Sequence, residues 1–140
     1  MKTTIACLLL IYSLPGWSYC FTEAAARYRI SPDLLQAIAR VESNMNAEAI
    51  RNNQNGTKDY GLMQINTVWL NQLSGHGVSQ VHLMDPCMNI MVGAWILSGL
   101  VAKHGLSWQT VGRYHSSTIG RRDEYARKVY EQMIRQVNRG

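Results

Sequence analysis

Metal-ligand spacing is missing from this chain. No CxxC or HExxH occurs, and His76, His82, His104 and His115 fall at no ligand spacing. Neither a metal nor a cofactor is indicated. Dense Lys/Arg blocks are also missing. The basic residues are dispersed, which argues against a nucleic-acid partner. No repeat, linker or low-complexity tract divides the 140 residues, so one domain is expected. Cysteine is limited to three positions. Acids are fewer than bases, 9 against 14, for a net charge of +5. That balance is compatible with an anionic polymer partner as well as with simple solubility.

What is present begins with a leader. Lys2 supplies a positive start, Ile5 to Leu14 an apolar run, and Pro15-Gly16-Trp17-Ser18 small residues at −3 and −1 if cleavage follows Ser18. Residues 1–18 therefore read as a secretory signal peptide, too short for a transmembrane anchor. Its removal takes away Lys2 and no acid, lowering the net charge to +4. Cys7 leaves with it. Cys20 and Cys87 remain, and an even pair in an exported chain reads as one disulfide. Closing that loop contributes roughly 4 kcal/mol in the chain-entropy model.

Residues 19–140 read as mostly helical. A short helix is expected over 22–28. Ser31 and Pro32 start a second helix, running to Asn44, as an N-cap followed by proline in the first turn. Residues 47–59 are polar and turn-rich. Residues 60–66 are apolar but too short to assign. A short helix follows at 67–73. Asp85 and Pro86 open a longer one, uncharged through Ala102 and apolar on nearly every face, as a central core helix is. Asn89 and Ser98 interrupt it, and Gly105 ends it, so a membrane span is disfavoured. Helices over 107–114 and 121–139 complete the chain. Tyr125, Val129, Tyr130, Met133, Ile134 and Val137 are expected on the buried side of the last.

Glu42 is out of place. Leu34, Leu35, Ile38 and Val41 span an arc of about 120° on the second helix. Glu42 falls within it, roughly 20° from Leu35 at the helical repeat. A carboxyl in apolar surroundings keeps its proton to higher pH, as a general acid working near neutrality must. A glutamate at the stripe edge reaching out to water has the same pattern.

Three clusters break that tie: Val41-Glu42-Ser43, then Asp59-Tyr60-Gly61-Leu62-Met63-Gln64-Ile65-Asn66, then Tyr114-His115-Ser116 continuing to Tyr125-Ala126-Arg127. Together they resemble the motifs of lysozyme-like lytic transglycosylases, over nearly the whole mature chain. Cys20 and the Asp85-Pro86-Cys87 step fit the small members that accompany type III and type IV secretion, conjugation and pilus systems. The resemblance implies a mainly α, lysozyme-like single domain with a substrate cleft. It implies a periplasmic enzyme acting on peptidoglycan glycan strands, with an envelope-spanning apparatus as partner and no membrane anchor after processing.

Glu42 would then protonate the glycosidic oxygen, and a 1,6-anhydro muramoyl end would form. Asp59 would stabilise the transition state by charge, or be a turn residue. Ser43 would orient Glu42 or substrate, and Gly61 would let backbone approach sugar. Tyr60, Met63, Gln64, Asn66, Tyr114 and Tyr125 would line the cleft and its glycan-binding edge, with a purely core role the alternative for Met63, Tyr114 and Tyr125. The family's Tyr-Asn-Ala-Gly is Tyr114-His115-Ser116-Ser117 here, so His115 would replace an asparagine as a hydrogen-bonding group or stand idle. A hydrolytic muramidase using Glu42 and Asp59, and a non-catalytic glycan-binding scaffold, remain the alternatives.

Overall fold

The computed structural model describes residues 16–139. Most of the expected leader lies outside them. Helix α1 (Trp17–Tyr28) runs unbroken through the Ser18–Tyr19 step, so it begins earlier than expected. Helix α2 (Pro32–Ser43) starts where its cap predicts: Ser31 Oγ accepts from the Leu34 amide at 3.4 Å. It stops where Asn44 turns left-handed at φ 52° and its N–H closes back onto Ala39 and Arg40. Leu34, Leu35, Ala37, Ile38 and Ala39 are buried. Each large aliphatic so placed contributes about 1.5–3 kcal/mol.

The polar segment after α2 departs from expectation. Residues 50–52 and 58–60 form strands β1 (Ile50–Asn52) and β2 (Lys58–Tyr60), joined by β3 (Ile65–Asn66) in an antiparallel sheet ordered β1-β2-β3. Pairing sets Arg51 opposite Asp59 and Asp59 opposite Asn66. No apolar alternation marks these strands, because polar side chains hold the hairpin. The Asn53 amide donates to Thr57 Oγ1 at 3.1 Å, and the Asn53 N–H to the Thr57 carbonyl at 2.9 Å.

The 67–73 helix splits into a 3-10 turn (Thr67–Trp69) and α3 (Leu70–Ser74). Helix α4 (Pro86–His104) follows, its first turn capped by Asp85 Oδ1 on the Met88 amide at 2.7 Å. It buries Ile90, Val92, Ala94, Ile96 and Leu97, and it packs on α1, α2 and α5 (Trp108–Gly112). Its length and apolarity reach those of a membrane span, and its buried residues belong to the domain core. The Cys20–Cys87 disulfide joins α1 to the first turn of α4 across a Cα separation of 5.2 Å. Such a bond belongs to an oxidising, extracytoplasmic compartment.

Helix α6 (Ile119–Val137) lies antiparallel along α2, with Tyr125 reaching Glu42 at one end and Gln136 reaching the Asp33 carbonyl at the other. Its buried stripe is narrower than expected. Tyr125, Ala126 and Val129 are buried, but Tyr130, Ile134 and Val137 are exposed. The exposed three form a second stripe, and the five-residue α5 is too short to cover it. Only Tyr130 is partly screened, by an edge-on contact with Trp108 at 5.1 Å.

Candidate active site

The last turn of α2 carries Glu42 to the wall of a cleft of about 530 Å³. Asp59, Gln64, Asn66, Tyr114 and His115 line the same cleft, with Arg51, Asn53 and Trp69. Thus α2, the sheet and the α5–α6 connection supply one wall each. Tyr125 stands just behind, in a smaller recess shared with Glu42 and His115.

Glu42 is half-buried in the cleft wall, and its desolvation raises its pKa to about 7. The Tyr125 hydroxyl opposes this by donating to Glu42 Oε1 at 2.7 Å, and Arg51 opposes it by charge. Asp59 adds a small upward push. Burial first, then the Glu42 charge, hold the Tyr125 phenol well above its ordinary range. It therefore stays a donor at neutral pH. His115 lies flat on the Tyr125 ring, centroids 4.9 Å apart and planes within 5°. Desolvation, then Arg51, Lys128 and Arg121, lower its pKa, so the ring is largely uncharged at neutrality. His115 thus packs on the residue that grips Glu42.

Asp59 is buried and fixed. Asn66 Nδ2 donates to its Oδ1 at 2.6 Å and Asn53 Nδ2 to its Oδ2 at 3.1 Å, while Arg51 Nη1 lies 4.0 Å away. Donors on both oxygens suit a carboxylate, and they orient it rigidly on the cleft wall. Asn66 also caps the following 3-10 turn through Oδ1 on the Val68 amide.

The segment 60–64 has a different part from the one expected. Tyr60, Gly61 and Met63 are buried, and none of them lines the cleft. At φ +72°, Gly61 faces Asn89, and a Cβ there would sit 2.4 Å from Asn89 Nδ2. The close approach that glycine permits is to this amide, not to a sugar. Met63 packs over Gly93 of α4.

Nearby side chains take up the segment's backbone groups. Asn89 donates to the Tyr60 and Leu83 carbonyls at 2.7 and 2.8 Å and accepts from the Met63 amide at 2.7 Å. Ser43 Oγ donates to the Leu62 carbonyl at 2.8 Å, and Tyr114 Oη to the Met63 carbonyl at 3.0 Å. Gln64 bends back at φ +49° and donates through Nε2 to the Gly61 and Ala49 carbonyls. Ser43 therefore ties the end of α2, one residue past Glu42, to this loop.

Sequence reasoning passed over three residues. Asn89 looked like a blemish in an apolar helix. A lone amide in an uncharged 17-residue run was its signal, since a fully buried amide must find partners. Arg51 was hidden in a turn-rich stretch. Its guanidinium donates to the Glu42 carbonyl at 3.2 Å and faces Asp59. Trp69 follows the motif by three residues. It stands edge-on to Trp95 at 5.8 Å and offers the cleft an aromatic wall.

A mainly helical domain with a small sheet, and a half-buried glutamate sharing an open polar cleft with the buried Asp59, define a lysozyme-like architecture. A family model described as the transglycosylase SLT domain matches residues 19–138. The chain is 40% identical over 121 residues to invasion protein IagB of Salmonella typhi, covering 83% of this chain and 76% of that one. It is 34% identical over 140 residues to protein IpgF of Shigella flexneri, covering 96% and 92%. It is 39% identical over 125 residues to a peptidoglycan-binding-like protein of Escherichia coli O157:H7, covering 81% and 75%. The chain belongs to the transglycosylase SLT-domain family.

Proposed function

We propose that this chain is a periplasmic peptidoglycan lytic transglycosylase, cutting the β-1,4 bond between N-acetylmuramic acid and N-acetylglucosamine. The observation that carries the reading is the Glu42 carboxyl, half-buried at the cleft wall with its pKa raised to about 7 by desolvation and gripped by Tyr125. At neutrality such a group is present in both protonation states, as one residue serving first as acid and then as base requires.

Protonated Glu42 gives its proton to the glycosidic oxygen, and the C1–O bond breaks to leave a C1 cation. The Glu42 carboxylate then takes the proton from the muramoyl C6 hydroxyl, whose oxygen closes onto C1. Glu42 ends protonated, no water is consumed, and the product carries a 1,6-anhydro end. Asp59, fixed by Asn53, Asn66 and Arg51, offers negative charge to the developing cation.

The relative named for peptidoglycan binding supports the substrate class. The one named for invasion supports a wall-opening role beside an envelope-spanning apparatus. The disulfide and the leader pattern support the periplasm.

Asp59 in the same cleft favours one second reading, hydrolysis by water. Digestion of purified peptidoglycan and mass analysis of the fragments, without a reduction step, separates the two. Anhydro ends are expected. Predominantly reducing muramic ends, each heavier by one water, would assign hydrolysis, and no release at all would favour a glycan-binding scaffold.

A further inference from the structure

Beside the main cleft lies the recess of about 180 Å³ that Glu42 and Tyr125 share. It is below the roughly 300 Å³ at which pockets for whole small molecules begin. A substituent fits it better than a sugar ring. Its walls are the end of α2, Arg51 from β1, and one face of α6.

That α6 face carries Arg121, Glu124, Tyr125 and Lys128, spaced by three and four residues so that they share one side of the helix. Three cations therefore meet around an opening next to the general acid. Against them stand Glu124, paired with Lys128 at 2.8 Å, Asp59, 4.0 Å from Arg51 on the cleft side, and Glu42 itself when ionised. Among the described residues Arg121 pairs with no carboxylate. With Glu42 in its acid form, one cation is left over and Arg121 has no carboxylate partner; the sugars alone explain this poorly, because neither ring carries a charge where the lactyl group is amide-linked. The charges of such a strand are the carboxylates of the peptide stems, which leave the muramoyl sugar next to the bond being cut.

We propose that Arg51, Arg121 and Lys128 form a side recess that takes a free carboxylate of the peptide stem, making the enzyme selective for stem-bearing, anionic glycan. This rests on the transglycosylase reading above and adds the part of the substrate that sets specificity. Arg121 and Lys128 are the residues to vary, since Arg51 also holds the Glu42 carbonyl.

The test uses the Glu42→Gln chain, to stop turnover. Calorimetric titration compares two soluble muropeptide tetrasaccharides that differ only in their stems, one with free carboxylates and one with these carboxylates converted to amides. The free-acid form is expected to bind about fivefold more tightly at low salt, the effect of a few exposed ion pairs. The preference should shrink as salt rises. In the Arg121→Gln/Lys128→Gln background the ratio of affinities should fall to about one. Equal affinity for the two tetrasaccharides, including no measurable binding of either, overturns the proposal. So does a preference that survives the double substitution. The anhydro-end measurement on the unsubstituted chain judges the reaction separately, so the two readings fail independently.

Discussion

Replacing Glu42 by glutamine keeps the side chain's shape and an acceptor for the Tyr125 hydroxyl, but removes the titrating proton. The consequences for stability and catalysis can be worked out together. Glu42 titrates at about 7 in the folded chain against an ordinary 4.5. Between those values the folded chain holds a proton that the unfolded chain has released. Stability of the unsubstituted protein must therefore fall as pH rises through this window, by about 1.4 kcal/mol per pH unit for one proton. The full loss is about 3 kcal/mol once pH exceeds the folded value. Glutamine does not titrate, so Glu42→Gln should match the parent near pH 4 and exceed it by up to about 3 kcal/mol at pH 8.

Urea unfolding of both proteins across that range reads the difference directly, with disulfides intact in both. Parallel stability curves would refute the raised pKa. On purified wall, folded Glu42→Gln should lose nearly all lytic activity, because an amide cannot give the proton. In the parent, kcat/KM should decline above about pH 7 as the acid form is lost. Substantial lysis by the folded variant would remove Glu42 from the reaction.

Tyr125→Phe deletes the bond that lowers the Glu42 pKa, so the alkaline limb of kcat/KM should move to higher pH; an unmoved limb would break the link between the two residues. Asp59→Asn should reduce turnover by about 10²-fold if charge stabilisation is its role, and wild-type turnover would leave Asp59 as a hairpin fastener. The same change sets an NH₂ group against the Asn53 or Asn66 donors, so faster amide exchange over β2 and β3 is expected alongside. Gly61→Ala forces a methyl into the Asn89 amide at φ +72°, and thermal unfolding should show it among the most destabilising single substitutions, at about 3 kcal/mol or more. A near-neutral Gly61→Ala would mean that the loop is less fixed than its hydrogen bonds indicate.

The helices were legible because their signals are local. Ser31-Pro32 and Asp85-Pro86 mark two starts by capping, and both caps form. The uncharged run of α4 reads as a core helix, and its buried residues lie in the core. The sheet was not legible, because Ile50–Asn52 and Lys58–Tyr60 lack alternation and pair through polar side chains whose partners lie up to nine residues away. The outer stripe of α6 was misread for a related reason. Periodicity reports which residues share a face, but not whether a neighbour is long enough to cover it.

At the site, motif and spacing brought Glu42, Asp59, Gln64, Asn66, Tyr114 and His115 to one cleft. They did not tell contact with substrate from contact with backbone. That distinction explains why so many polar and small residues gather around one short loop. A carboxyl stays protonated near neutrality only if the wall beside it is dry and does not relax toward water. A dry wall made of loop backbone carries peptide groups that need partners of their own. Asn89 serves Tyr60 and Met63, Ser43 serves Leu62, Tyr114 serves the other side of Met63, and Gln64 serves Gly61. With those groups satisfied internally, water has little reason to enter on the loop side of Glu42, while on the side of the small recess Tyr125 holds the carboxyl by its hydroxyl. The loop's hydrogen bonds and the pKa of the acid are two consequences of one arrangement, and a lesion in either should register in the other.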